Sequence, residues 1–248
     1  MLKIESAQND TFKRLLSLTT SKGLKQEGQF LLSGEKLIRE FLTHSNLKIV
    51  HELLGSRMEP LTSRAGEVSV IQFSAELFTQ LDVLGTNFNI LVLEQPQLPT
   101  LKSADLKDYK PQGIEVVLPV GDPGNLGALL RSCEAFAVPR VILTQEAAHP
   151  FLPKAVKASA GSVLRLPLAY GPALSEFPVS CIALDSSGTR IEDFKWPDQG
   201  LLVVGEEGQG LPPHFKQCIS IPTHGVESLN VVVAASIALF CRSRAHKK

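Results

Sequence analysis

The chain has 248 residues, of which 44% are hydrophobic and 20% charged, as in an ordinary globular protein with enough apolar mass for a core. Lysine plus arginine and aspartate plus glutamate balance at 25 each, so net charge does not indicate a nucleic-acid partner, and any basic surface must be local. The cysteines and histidines lack metal-ligand spacing, which predicts no metal site. No apolar run is long enough to cross a bilayer and no signal peptide is visible, so we expect a cytoplasmic protein with reduced thiols and no membrane contact.

Residues 1–95 predict a small α/β domain. Helical periodicity indicates helices over 9–18, around 37–42 and over 74–81, the last with Ser74 as its N-cap. Short apolar runs predict strands at 49–54, 68–73 and 88–93. The polar stretch 96–112 contains prolines and no clear period, and it predicts an interdomain linker.

Residues 113–248 alternate between strand-like and helix-like segments. Strands are predicted at 114–120, 140–144, 179–184 and 201–205, with a short one near 163–166, and helices at 125–136, 153–159 and 228–243. Such alternation predicts an α/β domain with a mainly parallel sheet covered on both faces. The last helix is apolar nearly all round, which predicts that it is buried.

The segment GDPGNLGALLRSCEAF, residues 121–136, predicts a strand end, a tight turn and a helix. Its three glycines are spaced neither as in the dinucleotide-binding fingerprint nor as in a P-loop, which argues against a dinucleotide-dependent oxidoreductase. Alone, they fit a tight turn with close helix packing. Asn125 stands near the helix start, where it can cap the helix or point into a cleft, and Arg131 stands almost two turns further along.

Two later segments combine glycines or a helix start with polar side chains. The strand over 201–205 runs into a glycine loop with Glu206 and Glu207, whose carboxylates are either solvated or able to accept hydrogen bonds from the ribose hydroxyls of a nucleoside. Ser228 and Asn230 stand at the front of the last helix, and either can be its N-cap.

Together, residues 125–131, 205–211 and 228–235 resemble the three signature motifs of the SpoU/TrmH-type RNA ribose 2′-O-methyltransferases of the SPOUT superfamily. Residues 153–161 resemble the segment that connects the motifs in this family. Residues 4–9 and 30–36, with Lys13 and Arg39, resemble the small substrate-binding domain that precedes many catalytic domains of the family. The chain departs from the family's usual residues at three positions, which puts the RNA target in question more than the reaction: Ser33, Thr223 and Val232.

The resemblance implies a SPOUT-type catalytic domain over 113–248, with a mainly parallel sheet and a C-terminal trefoil knot. A small α/β RNA substrate-binding domain over 1–95 precedes it, and the family's members work as homodimers. S-adenosylmethionine is the implied cofactor. The residues that the resemblance places around it are Val204, Gly205, Glu206, Gly210, Ile221, Ser228 and Leu229.

The implied reaction is methyl transfer to a ribose 2′-hydroxyl of structured RNA, with ribosomal RNA favoured over transfer RNA. Arg131 would act on that hydroxyl, as an unusual base, by positioning a phosphate that serves as the base, or by stabilising negative charge. Asn125 and Glu207 would position Arg131 and the substrate, while Ser228 and Asn230 would shape the site. The alternatives are a transfer RNA methyltransferase and a catalytically inactive RNA-binding relative.

Overall fold

A computed structural model describes residues 1–45, 47–62, 68–205, 210–226 and 228–245. The chain divides into two compact units. Unit 1 comprises Met1–Gln97 and His149–Gly161, and unit 2 comprises Leu98–Ala148 and Ser162–Lys248. This division differs from the predicted domains chiefly in that residues 149–161 belong to unit 1.

The helices and strands are numbered in chain order. The strands are β1 (Leu2–Ile4), β2 (Gln29–Ser33), β3 (Ile49–Leu54), β4 (Ser69–Phe73), β5 (Ile90–Glu94), β6 (Ile114–Leu118), β7 (Val141–Leu143), β8 (Leu168–Tyr170), β9 (Ile182–Arg190), β10 (Gly200–Val203) and β11 (Gln217–Ser220). The helices are α1 (Asp10–Ser17), α2 (Ser21–Glu27), α3 (Glu35–His44), α4 (Ala75–Leu81), α5 (Ser103–Leu106), α6 (Pro123–Ala135), α7 (Pro153–Ala158) and α8 (Val231–Ala245).

Unit 1 is built on a five-stranded mixed sheet in the order β1-β4-β3-β5-β2. The pairs β3–β5 and β5–β2 are antiparallel, and the other two are parallel. The predicted helices α1, α3 and α4 are present, and Ser74 caps α4 as predicted, its side chain accepting from the Leu77 N–H. Phe151 stacks at 4.8 Å from Phe30 of β2, which explains why the segment 149–161 belongs to this unit.

Unit 2 is built on a six-stranded sheet in the order β11-β9-β10-β6-β7-β8. Every pair in it is parallel, which confirms the predicted parallel sheet. Strands β6, β7 and β10 are buried along nearly their whole length, as expected for the centre of a sheet covered on both faces, whereas the second half of β9 is largely exposed. Strand β6 lies between β7 and β10, so the turn that follows it opens near the middle of the sheet.

The prediction of a strand near 163–166 is wrong. Residues Ser162–Leu164 form a 3₁₀ turn, and the strand begins only at Leu168. Two side chains of this segment are held by Glu134 of α6: Ser162 Oγ donates to it at 2.6 Å, and Arg165 Nε donates at 2.6 Å. These two hydrogen bonds stabilise the 3₁₀ turn, whereas the apolar residues of the segment alone suggested a strand.

Most of the predicted linker belongs to the packed body of unit 2. Thr100 pairs with Tyr170 of β8 in a parallel bridge, and α5 places Leu106 in the core of the unit. Few residues of 96–112 face inward, so the segment is polar in composition. Its apolar residues are too sparse to show the helical period of α5, and the helix was therefore not predicted.

The last helix is correctly predicted, but its complete burial is not. Only Ala235, Ala238 and Leu239 of α8 are buried. Val233 is 47% exposed and Phe240 is 52% exposed. An apolar composition identifies surface that avoids water, but it does not distinguish a core from a face left open in a single chain.

Candidate functional site

A cavity of about 120 Å³ lies where three segments of unit 2 meet. The segments are residues 184–186 of β9, residues 219–223 at the end of β11, and residues 228–234 at the start of α8. Its walls are mostly aliphatic, with four polar side chains among the lining residues. The lining residues are Leu184, Asp185, Ser186, Ile219, Ile221, Thr223, Ser228, Leu229 and Ala234.

The cavity opens at an irregularity between β9 and β11. The two strands pair at Ile182 and Ala183, then the register shifts and pairing resumes at Thr189. The intervening residues include Gly188, where a Cβ would lie 2.4 Å from the carbonyl carbon of Cys218. Only glycine allows this close approach. The bulge thus carries residues 184–186 out of the ladder and into the cavity wall.

Asp185 is held by its own turn. Its Oδ1 accepts hydrogen bonds from the Ser187 N–H at 2.8 Å and from Ser187 Oγ at 2.5 Å. These two bonds hold the pKa of the Asp185 carboxyl below its ordinary value, so the group is ionised at neutral pH.

Asn230, and not Ser228, caps α8. Its side-chain Oδ1 accepts from the Val232 N–H at 2.9 Å, and its backbone carbonyl accepts from the Ala234 N–H. The cap fixes where the helix begins, and this places Ser228 and Leu229 immediately before it, in the cavity wall.

The structure brings three of the predicted cofactor residues together at the cavity. Ile221, Ser228 and Leu229 line the cavity, whereas Val204, Gly205 and Gly210 are absent from the lining that the described residues form. Val204 is buried after β10. Gly205 lies close to Gly210, with 3.7 Å between a Cβ built at Gly205 and the Gly210 carbonyl carbon. Glu206 and Glu207 lie outside the described residues.

Asn125 lies within the first turn of α6 and is not its cap. The cap is Asp122, whose Oδ1 accepts from the Asn125 N–H at 2.8 Å, and Pro123 occupies the first turn. Arg131 lies two turns further along and is exposed. Neither Asn125 nor Arg131 is among the lining residues of the cavity.

A hydroxyl pair joins the helix of Arg131 to the helix that borders the cavity. Ser132 Oγ lies 2.8 Å from Ser236 Oγ of α8. Ser236 donates its only proton to the Val232 carbonyl at 2.6 Å, so Ser132 is the donor in the pair. This bond fixes α6 against the first turns of α8.

Sequence reasoning missed Asp185 and Ser186 as cavity residues. The available signal was the run Leu184-Asp-Ser-Ser-Gly188, a polar, glycine-containing segment directly after an apolar strand in an α/β domain. Within the described ranges, no three His, Cys, Asp or Glu side chains converge as a metal site would require. No helix in that part of the chain is long and apolar enough to cross a membrane.

Residues 114–240 match the SpoU rRNA Methylase family. The chain belongs to this family. The match covers the whole parallel sheet, the cavity and α6, so the resemblance noted in the three motifs is confirmed.

Two relatives align along nearly the whole chain. A "Ribosomal RNA small subunit methyltransferase G 2" of Syntrophobacter fumaroxidans is 37% identical over 98% of this chain, which spans only 49% of that relative's length. A "23S rRNA (guanosine(2553)-2'-O)-methyltransferase" of Bacillus subtilis is 27% identical, over 97% of this chain and 98% of its own length.

A solved structure has the same fold. The SpoU methyltransferase AviRb from Streptomyces viridochromogenes, in complex with the cofactor AdoMet, superposes with a TM-score of 0.80 at 23% identity, covering 97% of this chain and 99% of its own. This likeness supports the α/β fold with its mainly parallel sheet.

Proposed function

We propose that this SpoU family member transfers a methyl group from S-adenosylmethionine to a ribose 2′-hydroxyl of structured RNA, and that the RNA is ribosomal. One observation carries the proposal. Ile221, Ser228 and Leu229, which the resemblance assigns to the cofactor, line one cavity at the start of α8 although six residues lie between the first two in the chain.

The cavity residues fit S-adenosylmethionine. Aliphatic walls suit the flat faces of a purine, and the polar side chains supply donors and acceptors for its edge. The cavity of about 120 Å³ is smaller than the roughly 300–1,000 Å³ of small-molecule sites, so these residues enclose only part of the cofactor. The loop from Val204 through Gly205, Glu206 and Gly210 completes the site. When bound, the cofactor supplies an electrophilic methyl group on a sulfonium.

The protein's task is to activate a weak nucleophile. A ribose hydroxyl must lose its proton as its oxygen attacks the methyl carbon. Arg131 acts on that hydroxyl, and its exposed position on α6 suits contact with RNA. Asn125 and Glu207 position Arg131 and the substrate, and Asn230 shapes the site by capping α8. Arg131 acts in one of three ways: as an unusual base, by positioning a phosphate that serves as the base, or by stabilising the negative charge that develops on the oxygen.

The active form is a homodimer. Val233 and Phe240 are seven residues apart on α8, on one helix face, and about half of each is exposed. A second copy that covers this stripe removes apolar surface from water. Arg131 is absent from the lining of its own chain's cavity, and its helix α6 packs beside α8. We therefore place the complete active site at the dimer interface, where Arg131 of one copy lies near the cavity of the other. The C-terminal end of the catalytic domain, residues 113–248, forms the trefoil knot.

The N-terminal domain, residues 1–95, binds the RNA substrate. Lys13 and Lys36 are exposed and offer cations to phosphates in a chain whose net charge is zero. Arg39 is also exposed, and it pairs with Glu35 of its own helix at 2.9 Å. Arg39 lies 5.7 Å from the centroid of the Phe88 ring. In proteins that bind single-stranded nucleic acid, aromatic rings and arginines of this kind stack on bases and contact phosphates.

Transfer of a radioactive methyl group tests the proposal. Purified protein, tritiated S-adenosylmethionine and separated ribosomal and transfer RNA fractions are incubated, and the RNA is hydrolysed in alkali. Because a 2′-O-methyl group blocks hydrolysis at its own site, label in alkali-resistant dinucleotides of ribosomal RNA supports the proposal. Label only in mononucleotides would show base methylation, label in transfer RNA would favour the transfer RNA alternative, and no label would favour an inactive relative.

A further inference from the structure

Asp185 is the one carboxylate among the described residues that line the cavity at the start of α8. It belongs to none of the three motif segments, 125–131, 205–211 and 228–235. Its place in the wall follows from the β9 irregularity, which turns residues 184–186 out of the sheet. Asp185 is only partly buried, so its carboxylate is accessible to a donor on a ligand in the cavity.

One oxygen of this carboxylate is already occupied. Both hydrogen bonds from Ser187 go to Oδ1, and no group in the described part of the chain donates a hydrogen bond to Oδ2. Since these bonds also lower the pKa of Asp185, Oδ2 belongs to an ionised group. The cavity therefore presents one charged acceptor among apolar walls.

The number of available oxygens indicates which donor fits. A vicinal diol presents two hydroxyls and is best met by two carboxylate oxygens, whereas one oxygen suits a single N–H donor. The aliphatic residues Leu184, Ile219 and Ile221 lie in the same wall as Asp185, and such walls favour a flat ring over a sugar or an ammonium group. The exocyclic amine of adenine stands at the edge of a flat ring and can donate one of its two N–H groups to the single available oxygen.

We propose that Asp185 binds the exocyclic amine of the cofactor's adenine through Oδ2 and thereby selects adenine over a 6-oxopurine. A 6-oxopurine would place an acceptor oxygen against the carboxylate, and two acceptors facing each other repel. This role rests on the proposed function, because it concerns the site of the same cofactor.

Binding of two ligands that differ only in the base tests the role of Asp185. Isothermal titration of the full chain is carried out with S-adenosylhomocysteine and with S-inosylhomocysteine. The wild type should bind the adenine ligand at least about tenfold more tightly, the size expected for a hydrogen bond to a charged group. Asp185→Asn should weaken binding of the adenine ligand about tenfold and leave binding of the inosine ligand no weaker, so that the discrimination is lost.

Two results would overturn the role of Asp185. Unchanged discrimination in Asp185→Asn would remove the carboxylate from base recognition. If Asp185→Asn weakens the binding of both ligands equally, Asp185 contacts a part that the two ligands share, which is the ribose or the amino acid. If the wild type binds neither ligand, the cofactor assignment itself fails, and the role of Asp185 fails with it.

The matched control is Asp193→Asn, the same change at an exposed position just after β9, which should leave both affinities unchanged. Asp185→Ser gives a second variant that keeps a local acceptor for the Ser187 N–H and removes the charge. It should lose the discrimination as Asp185→Asn does, and it keeps the test decisive if the amide variant does not fold.

Discussion

Ser132 on α6 donates a hydrogen bond to Ser236 on α8 over 2.8 Å. The two residues are 104 positions apart in the chain, and each neighbours a part of the candidate site. Ser132 follows Arg131 directly, and Ser236 lies two residues after Ala234, which lines the cavity. The pair therefore couples the position of the proposed catalytic arginine to the proposed cofactor cavity.

Removing this pair should cost stability. Ser236→Ala leaves the Ser132 hydroxyl without its partner, and we expect the free energy of unfolding to fall by about 1 kcal/mol. A double-mutant cycle with Ser132→Ala, measured by urea unfolding, should give a coupling energy of similar size. Ser243→Ala is the matched control, because Ser243 also donates to a carbonyl of its own helix, that of Phe240. A coupling energy near zero would mean that the two helices are held together by other contacts.

Arg131→Ala should separate binding from transfer. Its side chain is outside the cavity lining, so cofactor affinity should change little, while methyl transfer should fall about 100-fold or more. Arg131→Lys keeps the charge, and it should restore part of the rate if charge is what matters. Single-turnover transfer and titration calorimetry make the comparison, with Arg190→Ala at the exposed Glu192 pair as control. Wild-type transfer by Arg131→Ala would remove this residue from the mechanism.

The apolar stripe on α8 should hold the homodimer. Val233→Glu places a charge in the proposed interface, where burial of an unpaired charge is costly, and it should yield a monomer of 26.9 kDa in sedimentation equilibrium. Val179→Glu is the matched control, since Val179 is 52% exposed and lies in the same unit but outside α8. A dimer that survives Val233→Glu but not Val179→Glu would place the interface elsewhere.

Stability should decline in mild acid because of His149. This side chain is only 7% exposed, and burial, with Lys25 nearby, lowers its pKa to about 4. The unfolded chain, with a histidine pKa of about 6.5, then binds more protons than the folded one between these values. Stability is therefore highest above about pH 6.5 and falls as the pH drops towards 4, by roughly 3 kcal/mol in total.

Urea unfolding between pH 7.5 and pH 4.5 measures this decline. His149→Gln keeps an acceptor for the Phe151 N–H, which His149 Nδ1 accepts at 3.3 Å, and it should flatten the pH dependence. His224→Gln, at an exposed position, should leave the dependence as in the wild type. Equal slopes in all three proteins would assign the acid sensitivity to other groups.

Local signals in the sequence predicted most of the elements. Ser74 was identified as a cap because a cap bonds only to its own helix, and β3 was placed at its true bounds because apolar pairs stand at both of its ends, on either side of His51 and Glu52. The cap of α6 was missed although its signal was present: Asp122 precedes Pro123, a residue favoured at the first helical position. Strand β1 and helix α2 were not predicted, because three and seven residues carry too little periodicity.

Features that depend on distant parts of the chain were not predictable in this way. Asp185 reaches the cavity because β9 shifts its register against β11, and that shift depends on the close approach of Gly188 to Cys218 thirty residues later. The exposure of Phe240 was missed for a related reason. Apolar composition records that a surface avoids water, but it does not say whether a core or a second copy covers it.

The most direct measurement of the central claim is a map of methylated riboses in ribosomal and transfer RNA from cells with and without this protein. The account predicts that one 2′-O-methyl group of ribosomal RNA disappears without the protein, returns with the wild type, and stays absent with Arg131→Ala. A complete set of ribose methyl groups in cells that lack the protein, together with the loss of a methyl group from a base, would contradict it.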